Sequence, residues 1–135
     1  MTGLAAGLLD TSVFIAGESR RALGDLPERG SVSVVTIGEL QLGVLNARDV
    51  ETRARRADTL ALARNAEPIP ISEAVMVEWA RLVADCHAAG VHRLVKLTDA
   101  LIAATAIEHG LPVVTQDNDY DVIARAHPGL SVVKV

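Results

Sequence analysis

The chain has 135 residues, half of them hydrophobic and only 2% aromatic, with one cysteine and a formal net charge of −4. That length gives a single domain over 1–135, large enough for a proper core packed from Ala, Val, Leu and Ile. No apolar run reaches the roughly 18 residues of a membrane span, no basic-then-apolar leader is read, and the lone Cys86 excludes an internal disulfide, so a soluble cytoplasmic protein is expected.

The first element is the apolar run Ala5-Ala6-Gly7-Leu8-Leu9, a short strand buried on both faces that stops on Asp10-Thr11-Ser12. A charge at the mouth of a buried strand is costly unless a helix N-terminus, a cation or a metal compensates it. The local alternative is that Asp10 or Ser12 caps a short helix through Ile15. Residues 18–26 carry charges on one side and end at Pro27, which predicts a surface helix. Arg29-Gly30 is a turn and Ser31-Val32-Ser33-Val34-Val35 the second strand. Thr36 opens a helix to about Leu45, with Thr36 and Glu39 in capping-box spacing. Asp49 caps a longer helix to about Asn65, with Arg53, Arg55 and Arg56 on its exposed side and a narrow apolar stripe of Ala57, Leu60 and Ala61.

The prolines of Pro68-Ile69-Pro70-Ile71 allow only a short or edge strand. Ser72 then caps a helix that aligns Val75, Trp79, Leu82, Val83 and Cys86 on one face, and Gly90 stops it. Thr98-Asp99 starts a helix over 100–107 that is apolar nearly all round and ends at Gly110. Leu111-Pro112-Val113-Val114-Thr115 is another buried strand. Asp117 begins the turn into a helix near 122–126, and 131–135 is the final strand. Strands alternating with helices give an α/β fold with a parallel sheet covered on both faces.

This order places acids at one sheet edge. Asp10 follows strand one, Glu39 sits one turn beyond strand two, Asp99 opens the buried helix, and Asp117 follows the strand ending at Thr115. In a parallel sheet the carboxyl ends of the strands share an edge, and ligands bind in the crevice there. Converging carboxylates raise each other's pKa unless a cation joins them. Oxygen-only ligands favour Mg²⁺ or Mn²⁺ over zinc, and such ions support phosphodiester cleavage. Each acid also has a local use: Asp99 as an N-cap, Glu39 as partner of Thr36, Asp117 in an Asx turn. Ser, Thr or Asn cap equally well, so capping gives no reason for acids at every strand mouth. The acidic balance is neutral on this point: with four of the 17 acids in one site, the other 13 match the 13 Lys and Arg.

Competing constellations fail on spacing. Asp117-Asn118-Asp119-Tyr120-Asp121 begins like a calcium loop, but Val122 stands where glycine is needed and Pro128 where the bidentate Glu belongs. His87, His92, His109 and His127 fall in no zinc spacing and read as surface or helix-end residues. No motif ties a histidine to Ser12, and no Gly-rich phosphate loop occurs.

Four segments carry a resemblance to a known family: Leu8-Leu9-Asp10-Thr11-Ser12, Val34-Val35-Thr36-Ile37-Gly38-Glu39-Leu40, Leu97-Thr98-Asp99-Ala100-Leu101-Ile102-Ala103-Ala104-Thr105-Ala106 and Val113-Val114-Thr115-Gln116-Asp117-Asn118-Asp119-Tyr120. As an ordered set spanning essentially the whole chain, they resemble the PIN-domain signature in its VapC toxin form. The resemblance implies a three-layer α/β/α sandwich with a mostly parallel central sheet. It implies a Mg²⁺-dependent (or Mn²⁺-dependent) endoribonuclease that cuts RNA, the toxin of a type II pair, restrained by a VapB-type antitoxin and usually a homodimer. It carries over Asp10, Glu39, Asp99 and Asp117 as the acidic site. Asp10, Asp99 and Asp117 would hold the metal, and Glu39 would position water or act as base. Ser12 and Thr115 match supporting hydroxyls, and Asp119 rivals Asp117 as the fourth acid. The alternatives are a PIN-like protein that binds RNA or a partner without cutting, which the complete set of acids disfavours, and a DNA nuclease, for whose clamping elements the length leaves little room. The helices over 36–45 and 49–65 flank Glu39, and the antitoxin segment is placed in the groove between them.

Overall fold

The computed structural model describes residues 3–135; the start of the stretch read as lacking a leader lies outside them. The elements run β1 (Ala6–Leu9), α1 (Thr11–Glu18), β2 (Arg29–Ser33), α2 (Val34–Leu45), α3 (Val50–Arg64), β3 (Pro68–Ile69), α4 (Glu73–Ala88), α5 (Leu97–Glu108), β4 (Val113–Thr115), α6 (Asp119–Ala126) and β5 (Val132–Lys134). The strands form one sheet in the order β3-β2-β1-β4-β5, and every neighbouring pair is parallel. β3, with its proline, lies at the edge, where a missing ladder donor is harmless.

β1 is central and short, and its consecutive leucines serve different cores because side chains alternate across a strand. Leu8 joins Leu82, Cys86, Ile102, Val113, Tyr120 and Ile123 in the core under α4, α5 and α6. Leu9 packs against the second core, which holds Phe14 of α1, Val32 of β2, Leu40 of α2, and Leu60 and Ala63 of α3. Helices therefore cover both faces, the three-layer α/β/α arrangement. The few rings are concentrated inside: Phe14 and Tyr120 are buried, and Trp79 packs against the first core.

Local boundaries depart from the sequence reading at several points. Arg29-Gly30, read as a turn, opens β2, and α6 starts at Asp119, ahead of residue 122. No helix forms over residues 21–27. α1 runs on to Glu18 instead and is stopped by Arg20 in the left-handed region (φ 56°). The second strand ends at Ser33, because the Ser33 hydroxyl accepts the Val35 N–H at 3.0 Å and starts α2 two residues early. Thr36 is thus inside the helix and caps nothing. In α3, Ala57 and Ala61 face solvent, and the buried stripe is Thr59, Leu60 and Ala63. α5 begins at Leu97 with Lys96 in the cap position, so Asp99 lies in the first turn and is not the N-cap.

β1 and β2 approach closely where Gly7 pairs with Gly30. A Cβ on Gly7 would stand 2.6 Å from Val114 Cγ2, a stiff branched side chain in the core, and one on Gly30 would stand 2.7 Å from Leu9 Cδ1. Overpacking of this kind costs roughly 1–3 kcal/mol. Gly7→Ala is therefore expected to lower the melting temperature by roughly 3–10 °C, measured by circular dichroism; an unchanged melt would show that β4 yields at no cost.

Candidate active site

The site is built around Asp10. Its backbone N–H closes the β1–β4 ladder on Val114 O at 2.9 Å, and the residue also caps α1, accepting the Ser12 N–H at 3.3 Å. Only 4% of Asp10 is exposed, so its charge must be answered from within. Tyr120 donates its hydroxyl to Oδ1 at 2.7 Å, and Thr115 donates to Oδ2 at 3.0 Å. A hydroxyl carries one proton. With that of Thr115 spent on Asp10, the Ser12 hydroxyl donates to Thr115 Oγ1 at 3.1 Å and itself accepts the Gln116 N–H at 3.0 Å. The Asp117 N–H also donates to Thr115 Oγ1, at 3.0 Å. Ser12 and Thr115 thus form a relay of donors directed at Asp10.

Glu39 lies on α2 and is held from α1, where Thr11 donates to its Oε1 at 2.7 Å. The buried Thr36 hydroxyl stands 3.0 Å from Thr11 Oγ1 and fixes that contact from below, in place of the predicted capping box. Asp99 reaches the site from the first turn of α5, where the helix N-terminus favours a negative charge. Its Oδ1 lies 3.4 Å from the Tyr120 hydroxyl, whose proton is already given to Asp10. Asp117 stands in the β4–α6 turn, and Asp119 opens α6 with Lys96 Nζ 3.9 Å away.

These groups meet in one cleft of about 270 Å³, lined by Asp10, Thr11, Ser12, Ile15, Arg21, Glu39, Lys96, Asp99, Asp117 and Asp119. The structure thus brings together every acid singled out in the sequence, including both candidates for the fourth position. None of the four histidines lines the cleft. His127 is instead tied to Asp85 at 2.6 Å, and the rings of His87 and His92 stack 4.0 Å apart. The sequence reading missed four contributors: Thr11 and Tyr120, which hold the carboxylates, and the cations Lys96 and Arg21. Tyr120 had a signal. It is the chain's one tyrosine, at helical spacing from Ile123, and a buried phenol requires a polar partner.

The electrostatics are those of acids short of counter-charge. Burial pushes Asp99 up to about 6, with further contributions from the charges of Asp10 and Asp119, and Lys96 opposes the rise. Asp117 is raised as well, first by desolvation on its cleft side and then by Asp10 and Asp119, against Lys96 and Arg21. Burial, then the charges of Asp10 and Asp99, drive the Tyr120 phenol far above its ordinary range, so it remains a donor. Among the described residues no group of three His, Cys, Asp or Glu side chains stands arranged to hold a metal ion. The cleft offers oxygen donors only, five acids against the two cations Lys96 and Arg21, a donor set that would suit a hard cation such as Mg²⁺ or Mn²⁺ and not zinc.

Because the Asp99 pKa is higher folded than unfolded, the metal-free fold binds the extra proton below about pH 6 and loses that stabilisation as pH rises from about 4 through 6. Asp99→Asn has no such loss. In EDTA its melting temperature relative to wild type is expected to climb between pH 4 and pH 7, by about 3 °C or more. A pH-independent difference in thermal melts would show that Asp99 feels no such field.

Comparisons with known proteins bear on the family and the fold. The PIN-domain family model matches residues 7–126. The chain is 74% identical over 103 residues to ribonuclease VapC8 of Mycobacterium tuberculosis, covering 76% of this chain and 92% of the relative. It is 46% identical over 130 residues to ribonuclease VapC4 of the same organism, covering 95% of each. In the crystal structure of VapBC-5 from M. tuberculosis, a member of the VapBC family of toxin–antitoxin systems, a chain superposes with a TM-score of 0.84 at 37% identity, with 97% of this chain and 99% of that one covered. The chain belongs to the PIN-domain family, in its VapC branch.

Proposed function

We propose that this chain is a metal-dependent endoribonuclease and the toxin of a type II toxin–antitoxin pair. One observation carries the reading: five carboxylates from four distant segments line a single cleft at the carboxyl edge of the parallel sheet, around a buried Asp10. The ribonuclease names of the relatives and the VapBC structure support it.

Asp10, Asp99 and Asp117 would hold a Mg²⁺ or Mn²⁺ ion. Asp117 is favoured over Asp119 as the third of these because Lys96 already stands beside Asp119. The bound cation would supply a Lewis acid for a phosphodiester oxygen and lower the pKa of a water. Glu39 is oriented through one oxygen by Thr11, and its other oxygen accepts the proton of a water attacking phosphorus. Tyr120 and Thr115, with Ser12 behind Thr115, hold the Asp10 carboxylate in one orientation, the role that outer partners play around a metal.

Control of such a cleft calls for a VapB-type antitoxin that lays an apolar segment beside it and places an Arg or Lys among the carboxylates. The groove next to Glu39 is not bounded by α2 and α3 alone. Arg56 of α3 donates to Gly43 O of α2 at 2.7 Å and joins the two directly. A groove of about 250 Å³ opens where α1 meets them, lined by Ile15, Glu18, Glu39, Leu40, Gly43, Asn46 and Arg56. A homodimer is proposed from the family alone. A chain that cuts RNA would act in the cytoplasm; among the described residues no helix is long and apolar enough to cross a membrane.

With Mg²⁺ or Mn²⁺ the purified chain is expected to cut RNA and to stop in EDTA. Asp10→Asn should lose about 100-fold or more in rate, at least the effect of removing an outer partner of a metal, while retaining its circular dichroism spectrum. Expression of wild type, but not of Asp10→Asn, should arrest bacterial growth. Cleavage that persists in EDTA, or an Asp10→Asn variant as active as wild type, would overturn the reading.

A further inference from the structure

Two cations line the acidic cleft, and their circumstances differ. Lys96 stands beside Asp119, whereas Arg21 makes no ion pair among the described residues. Its side chain nevertheless lines the same cleft as the five acids. A guanidinium at the cleft rim with no ion pair of its own has its donor fork free for an anion; that fork matches carboxylate or phosphate, and the anion an RNA strand would bring is a phosphate.

The backbone around Arg21 is held from both sides. Arg20 takes the left-handed conformation, φ 56°, which costs a residue other than glycine some strain. That turn lets the Arg21 N–H return to Ala16 O at 2.8 Å and the Arg20 N–H to Gly17 O at 3.2 Å, closing the end of α1. The next residue is held by Gln116, whose Nε2 donates to Ala22 O at 2.9 Å and to the Val135 backbone oxygen at 3.0 Å. Gln116 Oε1 faces Arg21 Nη1 at 3.5 Å, a long contact that orients the head group without neutralising it. The same residue sends its backbone N–H to Ser12 Oγ, the first member of the relay that ends on Asp10. The Gln116 side chain thus ties the loop bearing Arg21 to Val135, while its backbone N–H joins the carboxylate network.

We propose that Arg21 contacts a phosphate of the RNA strand in the cleft and that Gln116 is the residue that positions it. This rests on the ribonuclease reading and adds a substrate contact to it. Arg21 is exposed and belongs to neither core, so its replacement is expected to leave the fold intact. The arrangement predicts a contact that weakens with salt and that fails in concert when either residue is lost.

The test measures binding of a fluorescent single-stranded RNA by anisotropy in Ca²⁺, across a KCl series, and single-turnover cleavage in Mg²⁺. Wild type, Arg21→Ala, Arg21→Lys, Gln116→Ala, Gln116→Met and the Arg21→Ala/Gln116→Ala double variant are compared, each checked by thermal melt. Arg21→Ala is expected to weaken binding about tenfold and to reduce the slope of log K against log salt by about 0.7, the value of one phosphate contact on a single strand. Arg21→Lys should keep the slope and lose part of the affinity. Gln116→Ala should lower the cleavage rate severalfold, and the double variant should be no worse than Arg21→Ala, because Gln116 acts through Arg21. Gln116→Met retains the stem and serves if the alanine variant melts early. Equal affinity and slope in wild type and Arg21→Ala would overturn the phosphate contact while leaving the ribonuclease reading standing. Additive losses in the double variant would overturn the positioning role. A folded wild type that neither binds nor cuts RNA would overturn the ribonuclease reading and this inference with it.

Discussion

The burial of one carboxylate governs this molecule. Asp10 ends the central strand with 4% of its surface exposed, and an ionised group in that position is tolerated only with several donors aimed at it. Two of those donors come from places remote in sequence, Thr115 from β4 and Tyr120 from α6, and the third is the local Ser12 amide at the start of α1. Meeting the needs of Asp10 requires β1 beside β4 and α6 folded back over the sheet. The fold and the site are thus specified by the same contacts.

The arrangement satisfies Asp10 at the expense of its neighbours. Donors are spent on the first acid, and Asp99, beside the same phenol, is left with burial and like charges that push its pKa to about 6. Lys96 and Arg21 offset part of that excess from the rim. A cleft with five acids and two cations carries an excess of negative charge that would favour a hard cation and the phosphates such a cation accompanies. The proposed chemistry uses this imbalance. A fully neutralised cleft would have no reason to bind either.

Much of the fold was legible in the sequence because its signals are local and apolar: buried strands, the caps at Asp49 and Ser72, and the stops at Gly90 and Gly110 all appear where the residues place them. The acids were legible as a set, since a parallel sheet gathers its strand mouths at one edge. What escaped was decided by contacts across the chain. The β-branched pair Val34-Val35 reads as strand, yet the Ser33 cap draws both into α2. The charged stretch after Glu18 reads as helix, yet Arg20 ends α1 and Gln116 pins the chain beyond it in an extended path. Tyr120 looked like a motif residue beside an acid and proves to be the bridge between Asp10 and Asp99. No pattern of period 2 or 3.6 encodes a hydroxyl reaching across the sheet to a carboxylate.

The central claim is that Asp10, Asp99 and Asp117 together hold a divalent cation. Anomalous diffraction from crystals soaked in Mn²⁺ tests it most directly. The account predicts a single strong peak in the cleft, within about 2.2 Å of carboxylate oxygens from Asp10 and Asp99, with Asp117 bound directly or through water. Crystals with free access to the cleft that show no peak there, or a peak whose ligands exclude Asp10, would contradict it.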